Sequence, residues 1–313
     1  MPNTDVSDGP TVPPMDVSLI FRALCFALGA VLIGLVVIST AHAFEQGIST
    51  AHFVSGRLFW GAVAVFIWVS ITNPKQLIRS KAEHLRFARS GLLIGWGTTF
   101  LYTIALNGAA VAPVIITIVG VSAVVGMVVE TYGKFRLGHA FVLVSIIVAL
   151  AAVITSVHND TTIATWALLA AIASGSIYGL LPVLNETKST EADMASVAFY
   201  LLYGFIISAC WALIANPSDT LIFTNALMNS NSAIAGVFCT GLGYALFQVG
   251  ISPTPSGEVI GSSWATLMYG CEPIAAIIVA SAFMDQPFSA TAAIFTASFL
   301  LLVAIAGPVL KQL

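Results

Sequence analysis

Charge is what this chain has least of. Only 8% of its 313 residues are Asp, Glu, Lys or Arg, while 58% are hydrophobic; a soluble domain carries about a quarter charged residues. The scarcity excludes a soluble globular protein and leaves an integral membrane protein. Basic residues nowhere form a continuous face that would meet phosphates, so nucleic acid is not expected as a partner. The four cysteines, Cys25, Cys210, Cys239 and Cys271, stand inside apolar segments without paired spacing, and none of the five histidines has metal-ligand spacing. Neither a disulfide framework nor a metal is expected. A glycine-lysine phosphate loop is also missing, and Gly95-Trp96-Gly97 lies in an apolar run with no strand before it. That argues against an ATP-driven pump working alone and against a dinucleotide enzyme, and no cofactor is implied.

What the chain does have is apolar runs of about 20 residues, the length that crosses a hydrocarbon core of about 30 Å. They predict ten spans, at 19–38, 53–71, 90–106, 109–129, 138–156, 163–184, 194–215, 232–250, 259–284 and 290–309. The connections are too short to hold a soluble domain. Residues 1–18, polar and marked by Pro2, Pro10, Pro13 and Pro14, read as a disordered tail. With the N-terminus in the cytoplasm, Arg22, the cluster from Lys75 to Arg89, Lys134, Arg136, Lys188 and Lys311 all fall on the inner side, and Arg57 alone falls on the outer. The opposite orientation violates the positive-inside rule, so both termini are expected to be cytoplasmic.

Gly95-Trp96-Gly97 and Gly241-Leu242-Gly243 occupy the third position in two successive blocks of five spans. A unit with an odd number of crossings inserts upside down relative to the one before it. The expected fold is therefore an all-α membrane protein of ten transmembrane helices, built as two inverted five-helix repeats at 19–158 and 159–313. Secondary transporters use this architecture and hold their solute near the midplane between the halves.

One carboxylate interrupts the ninth run. Glu272, followed by Pro273, is expected near the middle of an unbroken helix, where an ionisable group costs about 2.5 kcal/mol or more and by default marks a pathway or site. Pro273 cannot donate to the residue four back, which frees the carbonyl of Tyr269. Tyr269 shares a helix face with Glu272, and Trp264 lies on the flank. Polar-tipped stripes add Tyr244 and Gln248 in the eighth span, Ser174 and Tyr178 in the sixth, and Trp96, Thr99 and Thr103 in the third. Such stripes face a bundle interior or a watery cavity in preference to lipid. Arg57, one turn inside the second span, reads as a side chain that snorkels to the headgroups, with attraction of an anionic group from outside as the alternative.

Two segments carry a family likeness: Gly241-Leu242-Gly243-Tyr244-Ala245-Leu246-Phe247 and Cys271-Glu272-Pro273-Ile274-Ala275-Ala276. Arg57-Leu58-Phe59-Trp60 and Leu101-Tyr102-Thr103-Ile104-Ala105-Leu106 extend it into the first half. With these the chain resembles the EamA-like members of the drug/metabolite transporter superfamily. The resemblance implies a multi-pass inner-membrane protein that moves small metabolites by alternating access, and not an enzyme. Pro113 lies nearer the start of its helix than is usual there, and Asp285-Gln286-Pro287 replaces the common Gly-Glu. The expected cargo is an amino acid or related amphiphilic solute moved outward, with proton coupling through Glu272. Uptake of a choline-like cation is the alternative within the class, because aromatic faces and a carboxylate suit an organic cation. A lipid-modifying intramembrane enzyme is the alternative from another class, and it needs clustered Asp or His at membrane depth, where the sequence offers Glu272. Oligomeric state is left open.

Overall fold

The computed structural model of the chain describes residues 17–131, 164–180, 193–215, 227–254 and 270–284, together with isolated positions 140, 144, 147, 148, 151, 224, 225, 257, 294, 297, 298 and 301. Among the described residues the structure is helical, with no strand. Hydrocarbon offers no partner for a backbone N–H or C=O, so a spanning segment closes its hydrogen bonds within itself. Among the described residues five helices are long and apolar enough to cross a membrane: Ser18–Glu45, Thr50–Thr72, Val111–Val129, Met194–Ala215 and Ser230–Ile251. Thr165–Gly179 and Cys271–Phe283 are shorter apolar helices. The expected fifth and tenth spans fall almost wholly outside the described residues, as do the tail at 1–16, Trp264 and Tyr269.

The first span is α1 (Val17–Gly34), a break at Leu35, and α2 (Val36–Glu45). It runs past the expected limit at Ile38 because Ser39, Thr40 and Ala43 remain buried against neighbouring helices. Helix α3 (Thr50–Thr72) opens on Ser49, whose hydroxyl accepts the His52 N–H at 3.4 Å. The helix that carries the expected third span begins earlier, with a polar segment. Helix α4 (Lys81–Ser90) passes without interruption into a π-helical stretch (Gly91–Thr98) and then α5 (Thr99–Asn107). Pro113 stands in the first turn of α6 (Val111–Thr131), where a missing N–H leaves no gap in the ladder. Then follow α7 (Thr165–Gly179), α8 (Met194–Ala215), α9 (Ser230–Ile234), a second π-helical stretch (Ala235–Leu242), α10 (Gly243–Ile251) and α11 (Cys271–Phe283).

The helix pairings are reciprocal. Helix α1 packs on α10 and α11, while α7 packs on α5 and α6. The first π-helical stretch lies against α8 and the second against α3; α3 meets α8, and α6 meets α11. Between helices in lipid, contact depends on close packing, which small residues permit. A Cβ added at Gly236 would stand 2.6 Å from the Arg57 carbonyl oxygen, and one at Gly95 would stand 2.8 Å from that of Tyr200. Both π-helical stretches thus press backbone to backbone on their partner helix.

One end of the bundle is held by arginines. Arg22 Nη1 donates to the Val249 and Ser252 carbonyls at 2.9 and 2.8 Å, satisfying groups at the C-terminal end of α10. Arg79 donates to Glu83 at 3.1 Å and to the Asp193 carboxylate, whose Oδ1 also accepts the Ser196 N–H at 3.1 Å at the start of α8. Ser80 and Glu83 form a capping box on α4. The Ser80 backbone and hydroxyl bonds, helped by Arg79, hold the Glu83 carboxyl down at about 2. At the opposite end, Asn229 Nδ2 donates to Gln46 Oε1 at 2.6 Å and Trp60 Nε1 to the Leu227 carbonyl at 2.7 Å.

Candidate functional site

Glu272 is buried at 1% exposure, and its surroundings differ from the sequence expectation in one respect. The described helix starts at Cys271, so Glu272 stands in its first turn and not at mid-helix. A carboxylate there faces the positive end of the helix dipole, and Pro273 beside it adds no further N–H in need of a partner. The break in the first span lies at the same level: a Cβ on Gly34 would stand 2.6 Å from the Glu272 carbonyl oxygen. The first span is therefore broken beside the start of the described helix that carries Glu272. Glu272 Oε1 has no hydrogen-bond partner among the described residues.

Glu272 is not the only ionisable group inside. Arg57 is 2% exposed, so its guanidinium does not snorkel to the headgroups as the sequence led us to expect. The close approach of Gly61 and Gly236 brings α3 against the second π-helical stretch, and Arg57 Nε donates to Thr240 Oγ1 at 2.5 Å. Thr240 Oγ1 in turn donates to the Ala235 carbonyl five residues back at 3.0 Å. Arg57 Nη1 remains without a partner among the described residues. The guanidinium and the Glu272 carboxylate lie within electrostatic reach of each other, and Tyr102 lies within reach of both. Yet the ion pairs among the described residues are those of Arg79 alone.

Around these charges lie hydroxyls and amides from other helices. Tyr178 and Tyr244, from α7 and α10, share a hydroxyl-hydroxyl bond of 3.1 Å, with the Tyr200 ring edge-on to Tyr244 at 5.8 Å. Gln248 Nε2 and Tyr102 Oη are buried without hydrogen-bond partners among the described residues. In folded proteins such atoms are few and each calls for a reason.

The other expected site residues go elsewhere. Thr103 donates to the Thr99 carbonyl at 2.7 Å, and Ser174 to the Thr98 carbonyl at 3.2 Å, so both hydroxyls serve helix packing. Trp96 is set against Phe100 at 5.4 Å and Trp211 at 6.0 Å, and its Nε1 is buried without a hydrogen-bond partner among the described residues. Trp264 and Tyr269 lie outside the described residues. A pocket of about 40 Å³ is lined by Val37, Thr40, Ala41, Phe44, Leu106, Val111 and Met284, beyond Glu272 toward the Gln46 end. It has room for water but not for a metabolite, whose sites run to about 300 Å³ or more.

Tyr102 and Thr240 are residues that sequence reasoning missed as site groups, and Arg57 is one that it set at the headgroups. Arg57 carried a signal, being a charge inside an apolar run, but that signal is shared by any snorkelling arginine.

No protein-family model matches the chain, and no curated protein does. Nine chains of solved structures match. One is a crystal structure of a protein given without a function, 15% identical, with a TM-score of 0.59 over 93% of this chain and 97% of that one. At that identity the likeness is one of fold alone, and it extends over nearly the whole of both chains.

Proposed function

We propose that the chain is a secondary transporter of the EamA-like class, with ten membrane helices arranged as two inverted five-helix repeats, working by alternating access in an inner membrane with both termini cytoplasmic. The observation that carries this is a pair of buried ionisable residues, Arg57 and Glu272, on helices of the two different halves, each with a polar atom that has no partner among the described residues. A fold stabilised by packing alone gains nothing from charges at that depth, whereas a pathway needs them. The reciprocal helix pairings support the repeat: exchanging the block α1 to α6 for the block α7 to α11 maps the pairings onto one another. The arginine cluster at the end where α1 and α8 begin supports a cytoplasmic placement of that end.

Export of amino acids or related amphiphilic solutes fits the mixture of charged, hydroxyl and aromatic groups. Proteoliposomes holding the purified chain, assayed for counterflow against a broad panel of labelled amino acids, amines and nucleosides, test it. Solute-dependent exchange is expected for at least one class; none across the panel overturns transport. A lipid-modifying enzyme is the weaker reading, since among the described residues no group of three or more His, Cys, Asp or Glu comes together to supply such chemistry.

A further inference from the structure

Helix α4 has two unlike faces. On one side His84, Phe87 and Ser90 are turned to α8: the Phe87 ring stacks on Phe199 at 5.5 Å, and Tyr203 Oη and His84 Nδ1 are hydrogen-bonded at 3.2 Å. On the other side Lys81, Leu85, Arg86 and Arg89 fall within an arc of about 140° at 3.6 residues per turn. All four are exposed, Leu85 to 71%. The three cations have no carboxylate partner among the described residues, because Glu83 and Asp193 are both held by Arg79. Arg86 lies over the Phe87 ring at 5.3 Å, a contact that leaves its N–H groups free to donate.

A helix face that meets only water has no use for an open leucine among its charges. Here the open stripe continues into the apolar run that α4 enters without a break: Leu92, seven residues after Leu85 and on nearly the same side, is 43% exposed. Beside lipid tails an open leucine carries no penalty. The cationic face is therefore continuous with a face that suits the bilayer.

We infer that the exposed face of α4 is a docking surface for anionic phospholipid headgroups, in the leaflet at the Arg22 end of the bundle. Phosphate oxygens match the planar forks of Arg86 and Arg89 and the point charge of Lys81. From Lys81 to Arg89 the helix rises about 12 Å, which crosses a headgroup layer of about 5–8 Å. The stems of the basic side chains and Leu85 offer the lipid an apolar edge. The opposite face of α4 packs on α8, so a lipid held here braces the join between the halves. Such docking requires only that the chain lie in a bilayer and is independent of transport.

The full chain, purified in neutral detergent and stripped of lipid, is titrated with dioleoyl phosphatidylglycerol or dioleoyl phosphatidylcholine. Thermal unfolding is followed, and bound lipid is counted by mass spectrometry of the intact complex. Phosphatidylglycerol is expected to raise the midpoint by several degrees more than phosphatidylcholine and to bind about tenfold more tightly or better, with a preference that shrinks as salt rises. The triple variant Lys81→Gln, Arg86→Gln, Arg89→Gln is expected to lose most of that preference. Leu85→Glu, which keeps all three cations and sets a carboxylate among them, is expected to do the same. The substituted side chains are exposed, so these variants retain the packed face of α4. A second triple variant, Lys134→Gln, Arg136→Gln, Lys311→Gln, removes as much charge elsewhere and is expected to keep the preference.

Equal binding of the two lipids to the unmutated protein overturns the docking surface, and that comparison needs no variant. A preference that survives in the α4 triple variant overturns it too. If the variant at 134, 136 and 311 loses the preference equally, the attraction belongs to total charge and not to this face. An equal rise in midpoint from inorganic phosphate or from poly-L-glutamate overturns it in favour of a free anion or an acidic protein. None of these outcomes alters the counterflow result, so the transporter reading stands or falls separately.

Discussion

At the scale of single residues, the interior of this protein is decided by which polar atoms have somewhere to go. Ser174 and Thr103, which share stripes with the candidate site in the sequence, turn their hydroxyls to backbone carbonyls and are accounted for by packing. Arg57, Glu272, Tyr102 and Gln248 keep atoms that packing leaves without a partner among the described residues. Replacing Glu272 by Gln retains size and removes the charge, and we expect it to lower solute counterflow roughly tenfold or more, the loss of one charge-assisted bond. Full exchange with an unaltered pH profile in that variant would discard Glu272 as a binding or coupling group. Its depth in the ninth run was legible from sequence, because a lone carboxylate among apolar residues is a local anomaly. The role of Arg57 was not, since an arginine near a helix end looks the same whether it turns to the headgroups or inward.

At the scale of elements, the helices are shaped by their interruptions. The π-helical stretches at Gly91–Thr98 and Ala235–Leu242 lie in the spans that carry the paired glycine motifs, and in each a threonine hydroxyl bonds the carbonyl five residues back: Thr98 to Leu93 and Thr240 to Ala235. The motifs were visible in the sequence; the widened helix was not, because it is stabilised by the neighbour against which the glycines lie. Gly236→Ala is expected to cost about 1–3 kcal/mol, the penalty of overpacking, since its new methyl group meets the backbone of α3 and not a yielding side-chain tip. Thermal inactivation in detergent measures it, and an unshifted midpoint would mean that the two helices part more readily than the contact implies. The capping box on α4 gives a pH prediction. Glu83, held down at about 2, has its folded value below the unfolded value of about 4.3. Its stabilisation is therefore complete above the unfolded value and lost as pH falls toward 2. Glu83→Gln is expected to lower the unfolding midpoint slightly at neutral pH and to flatten its decline between about pH 4 and 2.

At the scale of the whole molecule, helices from the beginning and end of the chain interleave. Helix α1 is seated on α10 and α11 while α7 is seated on α5 and α6, so neither half is a body that packs only on itself. At the Arg22 end the halves are tied by Arg79 and Asp193. If transport proceeds by rocking of the halves, this end must part during the cycle. In a chain whose Cys25, Cys210, Cys239 and Cys271 are replaced, a disulfide between cysteines substituted for Arg79 and Asp193 is expected to stop counterflow, and reduction to restore it. Undiminished exchange in the cross-linked protein would show that this end stays closed throughout. The position of some spans was legible, as at 194–215, where α8 runs. The limits of the first and third were not, because buried small residues extend α2 and a polar capping box starts α4 well before the apolar run.

The sequence by itself determined that this is a membrane protein of many apolar helices and that a carboxylate stands at depth in one of them, since run length and the cost of burying a charge are properties of a single segment. Only the tertiary structure decided what meets that carboxylate. The guanidinium of Arg57 is turned inward by Thr240, 183 residues further along the chain. No local pattern encodes a partner so distant: it exists only once α3 and the second π-helical stretch are pressed together at Gly61 and Gly236, and the direction of a long charged side chain follows from that contact.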